Sequence, residues 1–348
     1  MAIYPFIRPL IFALDAERAH SLTIAGLKAA PIGSPPPSPP ALSMRVAGLD
    51  FPNPVGLAAG FDKNAEVPAK ILGLGFGFAE VGTLTPLPQP GNPKPRMFRL
   101  VADHGVINRL GFNNAGQTAA AERLAQRDRT RGIVGINIGA NKDSEDRIAD
   151  YEAGVRAMAP LADYLTINIS SPNTPGLRAL QDEGALDALL ERAIAARPAD
   201  GPPIFLKVAP DLETADVDAI ARIATVRAID ALIVGNTTIA RPGLKSGHAS
   251  ESGGLSGRPL AALARQRLED FRSATGGTMP IIAVGGIDSA KEAWARIRAG
   301  ASLVQLYTAL AYKGPGLGRE IVRGLERLRK RDGFASIAEA VGSGERTG

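Results

Sequence analysis

The sequence predicts an α/β protein, a parallel (β/α)8 TIM barrel that carries a small N-terminal two-helix extension. Two observations support the barrel. From Phe51 onward, short apolar runs alternate with loops rich in Gly, Asn, Ser or Thr and with alanine-rich helical stretches. There are eight such runs, each apolar along its length, as in parallel strands buried on both faces. A doubly wound open sheet is the alternative, but that fold carries its glycine-rich turn after the first strand, whereas the glycine-rich turns here come late.

The two-helix extension is predicted at the start of the chain. Its first helix follows from apolar residues at helical spacing, namely Tyr4, Ile7, Leu10, Ile11 and Leu14. A polar turn over residues 15–20 comes next, and a second apolar stripe then includes Leu22, Ile24, Ala25 and Leu27. Residues 31–40 are rich in Pro and Ser and therefore predict a linker. We expect two units, a helical segment over 1–40 and a barrel over 41–348.

These helices either pack on the barrel or contact a membrane surface, and periodicity does not separate the two. The membrane interpretation uses Tyr4, Phe6 and Phe12 as interfacial aromatic residues and Arg8, Arg18 and Lys28 as partners of lipid headgroups. No run of about 18 uncharged apolar residues occurs, so a spanning helix is not expected. The first residues also lack the pattern of a signal peptide, so we expect the chain to stay in the cytoplasm.

The elements of the barrel follow in order. Strands are predicted at 54–59, 78–82, 133–138, 164–169, 204–208, 231–234, 281–284 and 303–306. Helices are predicted between them at 148–159, 185–196, 215–226, 260–275 and 290–298. Two stretches, 85–114 and 237–257, are too long for ordinary connections and are predicted to be loops over an active face.

Composition excludes several kinds of chemistry. The chain has no Cys, which rules out disulfides, a thiolate nucleophile and Cys-ligated clusters, so redox chemistry would need a bound organic cofactor. Its three His are scattered, and a metal site is not expected. The formal charge of +5 comes without a run of like charges, so nucleic acid is not an expected partner.

Polar and small residues follow nearly every predicted strand. In chain order they are Gly60, Asp62, Lys63, Thr83, Asn137, Asn168, Ser171, Asn173, Lys207, Asn236, Thr237, Gly285, Gly286, Tyr307 and Thr308. Each alone has a structural explanation as a cap or turn residue. Because barrel enzymes place their chemistry at the carboxyl ends of the strands, the whole set predicts a site for a flat, hydrogen-bonding ligand. The small residues after the last two strands lie where barrels hold a phosphate, and no Walker lysine follows, which favours a monophosphate.

Five stretches carry a specific resemblance. They are AGFDKN from Ala59, EVGTLTP from Glu80, NRLGFNN from Asn108, NISSPNT from Asn168 and GGLSG from Gly253. Together they resemble the quinone-dependent (class 2) dihydroorotate dehydrogenases, and the resemblance extends over nearly the whole chain. It implies an FMN barrel that oxidises (S)-dihydroorotate to orotate in pyrimidine biosynthesis and passes electrons to membrane quinone. It also implies a peripheral position on an anionic membrane surface, on the cytoplasmic side of the cell membrane.

The same resemblance implies residue roles. Ser171 would be the base that removes the proton from ring carbon 5, with Thr174 as a neighbour, and Lys207 would lie beside the flavin. The implied FMN contacts are Ala59, Gly60, Phe61, Asp62, Lys63, Thr83, Asn137, Asn168, Lys207, Gly235, Gly257, Gly286, Tyr307 and Thr308. The implied substrate contacts are Lys63, Asn108, Arg109, Leu110, Gly111, Phe112, Asn168, Asn173, Asn236 and Thr237. Arg109 could instead only hold its loop, and Gly235 stands where the family usually has a hydroxyl residue, which leaves its backbone alone as a flavin contact.

Three other functions compete with this one. Another flavin barrel, such as a dihydrouridine synthase, would need a catalytic cysteine, which is absent. A phosphate-binding isomerase or aldolase would fit the Gly285–Gly286 turn alone. Flavin absorption by the purified protein would distinguish a flavin enzyme from this alternative. A membrane scaffold without chemistry would not need the set formed by Lys63, Ser171, Asn173 and Lys207.

Overall fold

The computed structural model describes residues 4–344 and has a closed barrel of eight parallel strands. The strands of the described chain are β1 (Met44–Val46), β2 (Leu49–Phe51), β3 (Val55–Leu57), β4 (Phe78–Leu84), β5 (Met97–Leu100), β6 (Gly105–Asn108), β7 (Ile133–Ile138), β8 (Tyr164–Asn168), β9 (Ile204–Val208), β10 (Ala231–Val234), β11 (Gly254–Gly257), β12 (Ile281–Val284) and β13 (Leu303–Leu306). The barrel order is β3-β4-β7-β8-β9-β10-β12-β13, and β13 pairs with β3 to close it. All eight predicted strands are confirmed.

The barrel strands are apolar along their length because both faces are covered. Every residue of β4, β8 and β9 is buried, with helices outside and neighbouring side chains inside the barrel. Inside, the rings of Tyr164 and Phe205 stack with centroids 4.5 Å apart. The hairpin of β1 and β2 places Phe51 edge-on against Phe78 at the start of β4, so it covers the amino end of the barrel. The opposite, carboxyl end is left for the functional site.

The helices alternate with the strands as the sequence predicts. They are α1 (Tyr4–Ala13), α2 (Ala16–Ala29), α3 (Pro68–Gly73), α4 (Gly116–Ala125), α5 (Arg147–Met158), α6 (Glu183–Ala195), α7 (Thr214–Val226), α8 (Ala261–Ala274), α9 (Ala290–Arg298), α10 (Thr308–Lys313) and α11 (Leu317–Arg331). The predicted helices α5 to α9 are confirmed to within two residues at each end. Residues 1–3 of the predicted 1–40 segment and residues 345–348 of the predicted barrel segment lie outside the described residues.

The extension consists of α1 and α2, but the turn between them is shorter than predicted. Asp15 caps α2 by accepting a hydrogen bond from the backbone N–H of Arg18 at 2.9 Å, so the helix already begins at Ala16. The predicted polar turn over residues 15–20 is therefore wrong beyond Asp15. The predicted stripe of α2 is also partly wrong, because Leu22 and Ala25 are exposed while Ala16 and Ala19 are buried.

The two long stretches predicted as loops contain strands. β5 and β6 come from the first stretch and β11 from the second, and they form an antiparallel sheet with β6 in the middle. Its small core contains Phe98, Leu100, Ile107 and Leu255. The two insertions pair because alternate residues along β5 and β6 are buried between the sheet and its surroundings. The carboxyl end of the barrel is thus covered by a folded sheet.

Candidate active site

A cavity of about 460 Å³ lies at the carboxyl end of the barrel, between the strand ends and the extension. Most of the predicted site residues line it, namely Ala59, Gly60, Phe61, Lys63, Thr83, Asn108, Leu110, Gly111, Phe112, Asn168, Ser171, Asn173, Lys207, Asn236, Thr237, Gly257, Gly286, Tyr307 and Thr308. Residues from α1 and α2 line the other side, among them Ile7, Ile11, Ala16, Ala19 and His20. The cavity therefore has a polar floor at the strand ends and a largely apolar mouth formed by the extension.

Asp62 and Arg109 were predicted to contact ligands, but neither lines the cavity. The buried carboxylate of Asp62 accepts the backbone N–H groups of Glu66 and Val67 at 2.7 and 2.8 Å, and its burial raises its pKa. The guanidinium of Arg109 pairs with Glu251 at 2.8 Å and lies 4.6 Å from the centre of the Phe98 ring. Both side chains hold a loop in place, which for Arg109 was the alternative expectation.

Gly235 and Asn137 also lie outside the cavity lining. Gly235 has φ +115°, and a Cβ there would lie 2.4 Å from the carbonyl oxygen of Val284, so only glycine fits. The backbone N–H of Gly235 donates to Val208 at 3.2 Å. Asn137 is fully buried one layer below the cavity. These two residues therefore support the residues that form the floor of the cavity and do not themselves line it.

Asn168, at the end of β8, lines the cavity but has its amide engaged within the protein. Its Nδ2 donates to Thr83 Oγ1 at 2.9 Å and to Asn137 Oδ1 at 3.1 Å. Its Oδ1 accepts the backbone N–H of Ser170 at 3.2 Å and the Ser170 hydroxyl at 2.7 Å. Because an amide has two donor hydrogens and two acceptor lone pairs, Asn168 has no free hydrogen-bonding capacity. Its function in this arrangement is to align the floor.

A buried carboxylate lies beneath that floor. Glu80 of β4 accepts Asn137 Nδ2 on one oxygen at 2.7 Å, and Gln305 Nε2 and the Tyr164 hydroxyl on the other at 2.7 and 3.1 Å. Burial lowers the pKa of Lys207, and the negative charge of Glu80 partly opposes this shift. Glu80 thus supplies the compensating charge for a lysine that faces the cavity. The sequence contains Glu80 in one of the resemblance motifs, but nothing in its spacing indicates this function.

The loop after β8 brings Ser171 to the cavity wall. Asn173 donates its backbone N–H to Ser171 Oγ at 3.2 Å, which orients the hydroxyl. Arg178 holds this loop against the loop after β10, because it pairs with Asp211 at 2.8 Å and donates to the Thr237 carbonyl at 3.0 Å. Thr174 is buried, and its hydroxyl has no hydrogen-bond partner among residues 4–344. Ser171 therefore lies in a fixed loop with a second hydroxyl close by in sequence.

Lys63 marks the boundary between floor and mouth. Its Nζ lies 3.4 Å from His20 Nε2, and burial lowers the pKa of Lys63 to about 8. Burial, aided by the Lys63 charge, lowers the pKa of His20 to about 3, so the imidazole is neutral near pH 7. The other ring nitrogen of His20 lies 3.3 Å from the Tyr307 hydroxyl. His20 thus joins the extension to two predicted ligand-binding residues.

His20 is a residue that the sequence reasoning missed, since it treated the three histidines as scattered. On α2 it belongs to a face that lines the cavity, together with Ala16, Ala19, Thr23 and Leu27. These positions have helical spacing, so a stripe beginning at Ala16 would have identified His20.

Within the described part of the chain, no group of three or more His, Asp or Glu side chains could hold a metal ion.

Comparisons with known proteins agree on one family. A family model described as dihydroorotate dehydrogenase matches residues 41–328. The dihydroorotate dehydrogenase (quinone) of Erythrobacter litoralis is 64% identical over 341 residues, which cover 98% of this chain and 99% of that protein. That of Novosphingobium aromaticivorans is 62% identical over 348 residues, covering 99% and 100%. A crystal structure of DHODH from Eimeria tenella in complex with ferulenol superposes with a TM-score of 0.92 at 40% identity, covering 97% and 99%. The chain therefore belongs to the quinone-dependent dihydroorotate dehydrogenases and is an oxidoreductase.

Proposed function

We propose that this chain oxidises (S)-dihydroorotate to orotate with bound FMN and passes the electrons to a membrane quinone, in the de novo synthesis of pyrimidine nucleotides (UMP). The observation that carries the proposal is the single cavity with two unlike walls. A polar floor suits a flat, charged ring, and an apolar mouth suits a quinone. A cofactor lying between the two could exchange electrons with both.

The residues around the floor fit FMN. The Lys207 side chain is buried and lines the cavity, and its Nζ has no hydrogen-bond partner in the described part of the chain. Gly286 has φ +73°, and a Cβ there would lie 2.4 Å from Ala261 Cα, so the turn after β12 is closely packed against the start of α8. We propose that this turn, with Tyr307 and Thr308, holds the phosphate, and that Gly60 and Gly257 contact the flavin. The cationic Lys207 would stabilise negative charge that develops on the ring.

The substrate would bind between the floor and Lys63. The Lys63 ammonium would pair with its carboxylate, since a lysine of pKa about 8 is mainly protonated at pH 7. The ring carbonyls and N–H groups of the substrate would form hydrogen bonds with four side chains, those of Asn108, Asn173, Asn236 and Thr237. These side chains have hydrogen-bonding capacity left, and Thr237 Oγ1 has no partner among the described residues. Leu110, Gly111 and Phe112 would close the site above the ring.

Ser171 would be the catalytic base for the proton on ring carbon 5. Its hydroxyl is weakly basic, so the proton must be passed on, and we propose that the Thr174 hydroxyl, which has no partner among residues 4–344, relays it. The flavin, when bound, supplies the hydride acceptor for carbon 6 and the electron donor for quinone. The buried position of Ser171 keeps competing water from the reacting atoms.

The extension would be the quinone entrance and the membrane contact. No residue of α1 is buried, and its side chains Phe6 and Leu10 are 80% and 73% exposed. Such outward apolar residues on a surface helix suit a monotopic contact with the cytoplasmic side of an anionic membrane. No helix among residues 4–344 is long and apolar enough to cross a membrane. We therefore propose that segment 1–40 lies on the bilayer and that segment 41–348 carries the oxidation.

The contacts of the extension with the barrel limit which of its residues we propose as lipid contacts. Tyr4 donates its hydroxyl to the Ala311 carbonyl, and Phe12 packs edge-on against Tyr312, so two of the three predicted interfacial aromatics face the barrel. Arg8 donates to the Tyr312 carbonyl at 3.2 Å, and Lys28 pairs with Glu66 at 2.5 Å. Of the six predicted lipid contacts, Phe6, Arg18 and Lys28 are exposed, and Lys28 is already paired with Glu66.

Anaerobic titration of the purified protein with dihydroorotate tests the proposed function. We expect a yellow protein with flavin absorption that bleaches at about one equivalent of dihydroorotate per flavin and recovers on addition of quinone. A protein that binds flavin but does not bleach would contradict the assigned substrate. Bleaching without recovery on quinone addition would contradict the assigned electron acceptor.

A further inference from the structure

An ion pair between buried Arg96 and partly buried Glu17 joins the extension to the insertion that carries the substrate loop. Glu17 of α2 accepts Arg96 Nη2 at 2.6 Å and Nε at 3.0 Å, a bidentate contact. The two side chains are 14% and 6% exposed, and hydrogen bonding to Arg96 lowers the pKa of Glu17. Bidentate pairs of this kind fix geometry as well as charge. The substrate loop means residues 108–112 here, and the inference rests on the function proposed above.

Arg96 organises the turn that precedes β5. Its Nη1 donates to the carbonyl oxygens of Pro90 and Asn92 at 2.6 and 2.7 Å. The guanidinium therefore has the Glu17 carboxylate on one edge and two backbone carbonyls on the other. Without Glu17, the Arg96 charge would remain buried with only neutral partners, so the turn would lose the group that fixes the direction of the guanidinium.

From that turn, Asn92 reaches both parts of the substrate site. Its Nδ2 donates to the Arg109 carbonyl at 3.0 Å and to the Asn173 carbonyl at 3.1 Å. Its backbone N–H donates to the Leu110 carbonyl at 3.0 Å, and the Arg109 N–H donates to Arg96 at 2.9 Å. Asn173 in turn donates its side-chain amide to Asn108 Oδ1 at 3.2 Å. Glu17 is thus linked to Asn173 and Asn108 through Arg96 and Asn92, by hydrogen bonds of 2.6 to 3.2 Å.

We propose that Glu17 is a positioning residue for the substrate: through Arg96 and Asn92, helix α2 holds the substrate loop and Asn173 in their binding geometry. The extension then serves the oxidation of dihydroorotate as well as access of quinone. Lys94 also pairs with Glu17, at 3.5 Å, but a separate ion pair between extension and barrel, Lys28 with Glu66, has no such connection to residues 108–112. It provides a matched control, because Glu66 can be changed by the same substitution.

The test compares Glu17→Gln with Glu66→Gln in the full-length flavin-loaded protein. The first measurement is the dissociation constant of orotate by calorimetry, and the second is amide hydrogen exchange over residues 108–112. We expect Glu17→Gln to weaken orotate binding about tenfold, since small displacements of binding groups have effects of this size or larger. We also expect it to accelerate exchange in the substrate loop, with flavin content unchanged. Glu66→Gln should leave both measurements at the wild-type value.

A double-mutant cycle with Arg96→Met sharpens the result. If Glu17 acts through Arg96, adding Glu17→Gln to Arg96→Met should weaken orotate binding no further. Unchanged orotate affinity and exchange in Glu17→Gln, or equal effects of Glu66→Gln, would overturn the proposal. If the wild-type protein does not bind orotate at all, the proposed function fails, and hydrogen exchange alone still decides whether Glu17 orders residues 108–112.

Discussion

The floor and the mouth of the cavity are built in opposite ways. At the floor, polar side chains bond to one another: Asn236 donates to Ser170 at 2.7 Å, Ser170 to Asn168, and Asn137 to Glu80. At the mouth, α1 exposes Phe6 and Leu10, and its contacts with the barrel are single hydrogen bonds to backbone carbonyls, such as that of Arg8 to Tyr312, together with ring packing of Phe12. Side chains held by mutual hydrogen bonds, as at the floor, can recognise one particular polar ring. An apolar mouth accepts a long hydrophobic molecule without fixing its exact position. The difference suggests that substitutions on each wall will affect a different half-reaction.

The largest expected effect is on the floor, at Ser171. Ser171→Ala should slow flavin reduction by dihydroorotate about 10²–10⁴-fold, the usual contribution of a positioned general base. Reoxidation by quinone should be nearly unchanged, because Ser171 lies on the substrate wall. Stopped-flow absorbance measures both half-reactions separately.

The neighbouring serine gives the control for that experiment. Ser170 is buried, and its hydroxyl bonds to Asn168 rather than lining the cavity. Ser170→Ala should therefore cause a smaller loss in flavin reduction than Ser171→Ala. Equal slowing of reduction and reoxidation in Ser171→Ala would show that Ser171 is not the base.

The second effect concerns Lys63, where floor and mouth meet. A charge-assisted hydrogen bond contributes about 1.5–3 kcal/mol, so Lys63→Met should weaken orotate binding about 10- to 100-fold. Met keeps much of the apolar stem while removing the charge, which limits changes in packing. Spectral titration of the flavin with orotate gives the dissociation constant. An orotate affinity close to that of the wild type would remove Lys63 from the substrate site.

The floor was predictable from the sequence to a greater extent than the mouth. Strand ends can be read from eight apolar runs, and a barrel brings every strand end to one face, so Lys207, Ser171 and Asn236 were placed correctly beside one cavity. Side-chain direction was not predictable. Arg109 belongs to the substrate loop by position, yet its guanidinium turns to Glu251, a residue 142 positions away that no local pattern indicates.

The mouth depends on contacts between distant segments. Helical spacing correctly predicted α1, but the inward face of α2 follows from its docking on β5, which pairs Glu17 with Arg96 across 79 positions. The same docking brings His20 to Lys63 and Tyr307. A single sequence contains the helix period of each element but not the partner against which the helix packs.

The third prediction tests the mouth alone. Leu10→Glu places a charge on α1 at a position that is 73% exposed, and Val226→Glu does the same on the outer helix α7 at 74%. Losing one apolar anchor and adding repulsion from anionic lipid should lower vesicle binding about tenfold for Leu10→Glu. Val226→Glu should bind as the wild type does in a vesicle sedimentation assay. Flavin reduction by dihydroorotate should be unchanged in both variants. If Leu10→Glu and Val226→Glu lose vesicle binding to the same extent, α1 is not the membrane contact.

The smallest effect is a pH dependence that arises at the boundary between the walls. Because burial lowers the pKa of Lys63 to about 8, the protonated form that binds a carboxylate is lost as pH rises through 8. From the protonated fractions at that pKa, orotate affinity should fall about fourfold between pH 6.5 and 8.5. His20, with its pKa near 3, stays neutral over this range and adds no inflection. The control is Lys63→Arg, whose side chain keeps its charge at all these pH values, so any orotate binding that it retains should be independent of pH. If the affinity of this variant still falls fourfold, another group is responsible for the pH dependence.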